Sequence, residues 1–299
     1  MEFEKPFNEQ ALKIEAVNWP LFLEKELSVY MLRTDLIDPV ISGNKWFKLR
    51  YYLQEAKELK KKKILSFGGA WSNHIVATAA ACKKFGFESI GIIRGEESHS
   101  NSITLKQAAD FEMTLKFVSR SLFVEIKRSV AYDYQDAYII PEGGYGILGA
   151  KGAETMISNL STEAYSHIIC AIGTGTMFAG LINAAKKETE LIGISALKNN
   201  LSLENEIQAL ITNSTAKWKL LHGFDHGGFA KHSTALLNFM NDFHKQTNIP
   251  TDIVYTGKLC YAINQLAEEN YFPKGSQILI IHSGGLQGNR SLSPGVLSY

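Results

Sequence analysis

From Trp46 onward, apolar residues recur at Trp46, Leu49, Leu53, Ala56 and Leu59, the spacing of a helix with one buried face. The apolar run Ile64-Leu65-Ser66-Phe67 follows, and strand-like and helix-like stretches then alternate to the end of the chain. This pattern predicts strands at 29–33, 64–67, 89–93, 113–118, 137–140, 167–172, 191–196, 218–221 and 277–282, with a further strand ending at 253–255. It predicts helices from 46, over 73–85 with Gly86 as the stop, and over 102–111, 149–160, 176–187, 201–211, 234–246 and 258–269, with one more between 118 and 137. Residues 1–27 read as a short helical lead-in broken at Trp19-Pro20. Regular alternation of this kind gives an α/β fold of open, twisted, mostly parallel sheets. With seams near 46 and 150, the expectation is a small α/β domain over 47–150 and a large one combining 1–46 with 151–299.

Ligands in such sheets collect at the carboxyl ends of the strands. Gly- and Ser-rich turns fall at those places: Gly68-Gly69-Ala70-Trp71-Ser72-Asn73-His74, Gly173-Thr174-Gly175-Thr176, Tyr255-Thr256-Gly257-Lys258 and His282-Ser283-Gly284-Gly285. The 173–176 turn joins a buried strand to a helix start, whose free amides and dipole suit a monophosphate; a plain tight turn is the competing reading. It lacks both the Gly-Lys-Ser/Thr end of a nucleoside triphosphate loop and the last glycine of a dinucleotide fingerprint. Ser72 or Asn73 can cap the next helix or help its amides hold a carboxylate, and His74 can be a polar rim residue. Tyr255 can pack on the rim, stack on a flat ring or move a proton. Ahead of these turns stands Ser42-Gly43-Asn44-Lys45, where a loop becomes a helix. A lysine fixed and desolvated there is a Schiff-base candidate, and pyridoxal 5'-phosphate (PLP) is the cofactor most often held that way; a surface lysine in a turn is the alternative.

Composition narrows the class. The chain has 299 residues, 45% hydrophobic and 20% charged, with net charge +1, which suits a globular enzyme and not a general nucleic-acid binder. The one basic cluster, Lys60-Lys61-Lys62-Lys63, sits at a predicted helix end, where cations favour the dipole. Cys82, Cys170 and Cys260 are far apart in apolar surroundings with no metal or redox spacing, as in a reduced, cytoplasmic protein. Neither an apolar signal core at the N-terminus nor a bilayer-length apolar run is present.

In this order and spacing, Ser42-Gly43-Asn44-Lys45-Trp46, Gly68-Gly69 with Ser72-Asn73-His74, Pro141-Glu142-Gly143-Gly144 and the 173–176, 255–258 and 282–285 turns resemble the D-cysteine desulfhydrase and 1-aminocyclopropane-1-carboxylate (ACC) deaminase family, of the tryptophan-synthase-β-like, fold type II PLP enzymes. The resemblance implies PLP in the cleft between the two domains and a homodimer. It implies that Lys45 binds the PLP aldehyde and is the first candidate base, that Asn73 holds the ring oxygen, that Gly173, Thr174, Gly175 and Thr176 hold the phosphate, and that Ser283 meets the pyridine nitrogen. Ser72, Asn73 and His74 would border the substrate carboxylate; Tyr255 would stand near the substrate, and Ser72 and Tyr255 are further catalytic candidates. ACC deaminases of the family typically carry Glu where this chain has Thr256, Leu where it has Ser283, and a second active-site tyrosine whose match is Phe229. These differences favour β-elimination of D-cysteine to pyruvate, sulfide and ammonia, with ACC deamination as the alternative and a PLP-binding protein of weak or no catalysis as the second. Phe47 departs from the basic residue of many relatives, and the chain is shorter than most.

Overall fold

The computed structural model describes residues 7, 12–95, 102–198, 200–212 and 214–299, without the side chains of 130–133. The described chain enters one sheet through β1 (Ile14–Ala16), passes the short helix α1 (Pro20–Glu24), returns on β2 (Ser28–Leu32) and turns into helix α2 (Asn44–Glu58). A second, smaller sheet follows from β3 (Lys63–Gly69), α3 (Asn73–Phe85), β4 (Glu88–Arg94), α4 (Ile103–Asp110), β5 (Thr114–Val118), α5 (Arg120–Asp133) and β6 (Ala137–Ile140). Its spatial order is β5-β4-β3-β6, all parallel. Helix α6 (Ile147–Glu154) leads back to the first sheet. That sheet is completed by β7 (His167–Ile172), α7 (Thr176–Ala184), β8 (Glu190–Ser195), α8 (Leu203–Gln208), β9 (Lys217–Leu221), α9 (Thr234–Thr247), α10 (Thr256–Glu268) and β10 (Gln277–Ile281). Its order is β1-β2-β10-β7-β8-β9, parallel except for β1, which runs antiparallel to β2 with Ile14 opposite Leu32.

Every residue of β7 is buried, as expected of a parallel strand with helices on both faces. Trp46, Phe47, Leu49 and Leu53 of α2 join Ile168, Cys170 and Ile172 of β7 in one buried cluster. At about 1.5–3 kcal/mol for each large apolar side chain, this packing fixes α2, and with it the lysine in its first turn. Cys82, Cys170 and Cys260 are free and buried. No helix among the described residues is long and apolar enough to cross a membrane.

Three expectations are corrected. Ile253-Val254-Tyr255 is a turn, because the side chain of Asp252 takes the amides that a strand would pair: those of Val254 at 2.9 Å, Tyr255 at 3.0 Å and Thr256 at 2.8 Å. Of the lead-in, residues 1–6 and 8–11 lie outside the described residues; the rest holds strand β1, and Pro20 begins α1 instead of breaking a helix. Helix α6 stops at Glu154, where Thr155 Oγ1 donates back to Gly152 O at 2.7 Å and a run of tight turns follows.

Candidate active site

Lys45 is the second residue of α2, and the turn before it is sewn to the end of β10. Gly43 has φ +61°, and a Cβ there would lie 2.0 Å from the carbonyl oxygen of Ser283. That same carbonyl accepts the Asn44 amide at 3.1 Å, while the Gly43 amide donates to Thr34 O at 3.1 Å. Below the turn, Arg33 forks onto both oxygens of Asp35 at 2.9 and 2.7 Å, and Thr34 Oγ1 donates to His282 O at 2.5 Å. Lys45 is half-buried, and its Nζ donates to Asn44 Oδ1 at 2.6 Å. Burial lowers its pKa to about 8, against a smaller upward pull from the Asp252 carboxylate. About a tenth of the amine is then neutral at pH 7, several hundred times the share of an ordinary lysine.

All the predicted site residues except Thr176 line one cavity of about 920 Å³. Thr176 is fully buried behind it, its hydroxyl 3.0 Å from that of Thr174, and it opens α7 after Gly175, which takes the left-handed conformation at φ 77°. The first amides of α7 therefore stand at the cavity without partners inside the helix. Ser72 caps α3, accepting the Ile75 amide at 3.3 Å, while its residue still borders the cavity. Asn73 Oδ1 and His74 Nδ1 are buried with no hydrogen-bond partner among the described residues. Ser66 Oγ donates to Ile140 O at 2.9 Å, so at 2.9 Å from His74 Nε2 it accepts. The Nε2 of His74 thus carries the proton and Nδ1 keeps a free lone pair. Burial, then the charges of Lys48 and Lys45, hold His74 neutral. Tyr255 leans over Gly173, where a Cβ would meet its hydroxyl at 3.0 Å; burial raises its pKa, so the phenol stays protonated. Phe229 lines the same wall, its ring 6.2 Å from that of Tyr255.

Sequence reasoning passed over Lys48 and Asp252. Lys48 is a buried lysine in the cavity wall, one helical turn from Lys45, with Nζ donating to Gly143 O at 2.5 Å; burial and then Lys45 lower its pKa. Its signal was a lysine between Phe47 and Leu49 on an apolar helix. Asp252 is fully buried and shapes the Tyr255 turn. The Thr256 hydroxyl, read above as a specificity group, is spent on that aspartate: it donates to Oδ1 at 2.6 Å and accepts the Asp252 amide at 2.7 Å, and it does not line the cavity. Ser283 does line it.

A flat, anionic aldehyde fits this donor set. A desolvated amine and a helix-start cradle for a dianion line one space, and Asn73, whose amide NH2 can donate, and His74 border it. The family model of pyridoxal-phosphate dependent enzymes matches residues 18–284. A putative ACC deaminase of Pyrococcus furiosus is 27% identical over 293 residues, covering 91% of this chain and 88% of its own. A D-cysteine desulfhydrase of Serratia proteamaculans is 26% identical over 290 residues, covering 86% of each chain. Among solved structures, an ACC deaminase homologue superposes with a TM-score of 0.81 at 24% identity, over 93% of this chain and 90% of its own, and shares the fold.

Proposed function

This chain belongs to the pyridoxal-phosphate dependent enzymes, and from that we propose that it is a lyase that deaminates a small amino acid, with ACC as the first substrate to test. The observation that carries the reading is that Lys45, the Gly173-Thr174-Gly175 turn, Asn73 and His74 line one cavity. Lys45 would hold the PLP aldehyde, Gly173 to Thr176 with the first amides of α7 its phosphate, Asn73 its ring oxygen and Ser283 its pyridine nitrogen. When bound, PLP supplies an electron sink conjugated to the substrate's α-carbon. The chain supplies the remainder. Ser72 and Asn73 would hold the substrate carboxylate, and neutral His74, whose one proton is directed at Ser66, would border it. Lys45 Nζ, readily deprotonated, would take the substrate's proton, from the α-carbon of D-cysteine or, because the α-carbon of ACC carries no hydrogen, from a ring methylene. Tyr255, protonated and facing the Gly173 turn, orients the substrate through its hydroxyl.

ACC stands first because the Pyrococcus furiosus relative bears that name, albeit as a putative assignment. This reverses the order expected from the sequence. D-Cysteine is the second reading, favoured by Phe229 and Ser283 in the cavity wall, where the resemblance places a tyrosine and a leucine in ACC deaminases. Thr256 no longer supports it. The test is the purified protein with PLP, offered ACC, both enantiomers of cysteine and serine, and β-chloroalanine. Release of 2-oxobutanoate and ammonia from ACC supports the first reading; sulfide and pyruvate from D-cysteine, with ACC untouched, support the second. Ammonia from none of them would overturn the lyase assignment. Sedimentation of the same preparation tests the homodimer.

A further inference from the structure

Lys258 is among the largest side chains buried in the molecule, at 1% exposure, yet it does not line the cavity. An ammonium group is costly to bury unless its donors are satisfied. Here Nζ donates to two backbone carbonyls, Asp225 O at 2.7 Å and Gly228 O at 2.8 Å, both in the loop between β9 and α9. Desolvation lowers its pKa to about 8, and the carboxylates of Asp225 and Asp252 oppose that only in part. That loop is strained: His226 and Ala230 hold φ of 49° and 57°, a region that non-glycine residues rarely occupy. Its other ties also run to fixed elements. The ring of His226 meets Tyr261, one turn beyond Lys258 on α10, edge-on at 4.7 Å, and its Nδ1 lies 2.9 Å from the hydroxyl of Ser233, the cap of α9. The residue after Gly228 is Phe229, 49% exposed, whose ring reaches the cavity and lies against Tyr255.

We infer that Lys258 is a positioning residue: its two hydrogen bonds pin the 225–228 carbonyls to α10 and so fix Phe229 as the wall that sets which amino-acid side chain the cavity accepts. Tyr255 and Lys258 flank the same turn of chain, so one helix start sets both aromatic rings. Without the clamp, relaxation of His226 and Ala230 toward ordinary φ would swing Phe229 off Tyr255. The clamp stands on hydrogen bonds alone; its effect on amino-acid binding rests on the function proposed above.

The test is a double-mutant cycle of Lys258→Met and Phe229→Ala on the PLP-loaded protein. It is read by the amino-acid-induced shift of the cofactor absorbance band and, independently, by hydrogen exchange of the 226–231 amides. Lys258→Met, which removes two hydrogen bonds, should raise the half-saturating amino-acid concentration about fivefold or more and speed loop exchange about tenfold while PLP is retained. In the Phe229→Ala background the same change should add less than about 1.5-fold, because two residues acting through one another are not additive. Equal effects in both backgrounds, or unchanged loop exchange, would overturn the inference. Should Lys258→Met not fold, His226→Ala, which loosens the loop from its other anchor, takes its place in the cycle with the same outcomes. If no amino acid shifts the wild-type band, the proposed function fails, and loop exchange alone decides the clamp.

Discussion

On one wall of the cavity, Lys45, Asn73 and the Gly173–Thr176 turn stand on backbone that sheet and helix geometry dictates. On the adjoining wall, where Tyr255 leans over Gly173, Phe229 and Tyr255 stand on a loop and a turn with no strand beneath them, held by the side chains of Lys258 and Asp252. A wall made of backbone has few ways to change, because each group is the end of a buried strand or the start of a packed helix. A wall made of side-chain ties depends on single residues, so one substitution can move it. The first suits a constant cofactor and the second a variable substrate.

The sharpest way to break this comparison is Gly43→Ala. A methyl group overlapping the Ser283 carbonyl at a positive φ should cost about 4 kcal/mol or more and leave protein that no longer retains PLP, read by melting temperature and by colour after gel filtration. Asp252→Ala should cost about 3 kcal/mol in thermal or urea unfolding, since three amides and the Thr256 hydroxyl lose a buried carboxylate. A loss below about 1 kcal/mol would mean that the Tyr255 turn does not depend on it. The pH dependence of cofactor capture by PLP-free protein reads the first wall. Lys45 is an ammonium below its pKa of about 8 and a neutral nucleophile above it. The capture rate should therefore climb about tenfold per pH unit up to that point and then level off; a climb continuing to pH 10 would place Lys45 in solvent. Asp252 raises that pKa, so any foldable Asp252 variant should level off at lower pH. The smallest effect is expected for Phe229→Tyr. It should leave stability within about 0.5 kcal/mol and move the ratio of ACC to D-cysteine turnover toward ACC by several-fold; an unchanged ratio would remove Phe229 from the specificity wall.

How much of this was legible in the sequence follows the same division. Helix α3 and strands β6 and β7 fall where the apolar periodicity puts them, and Gly86 ends α3 in the left-handed conformation. The lysine turn and the 173–176 turn were legible because glycine and strand-end position carry their signal locally. The adjoining wall was not. Ile253-Val254-Tyr255 has the composition of a strand, and only the folded position of Asp252 diverts its amides. Thr256 had the right chemistry for a site residue and faces the wrong way. The partners of Lys258 lie 30 and 33 residues away, so no local pattern reports them.

The account rests on Lys45 being the residue that carries the cofactor. Reduction of the PLP-loaded protein with borohydride, followed by peptide mass mapping, tests it most directly. The expected result is a pyridoxyl group on the peptide containing Lys45, and none after reduction of Lys45→Ala. A label on Lys48 or Lys258 in the wild-type protein, or an undiminished label in Lys45→Ala, would contradict it.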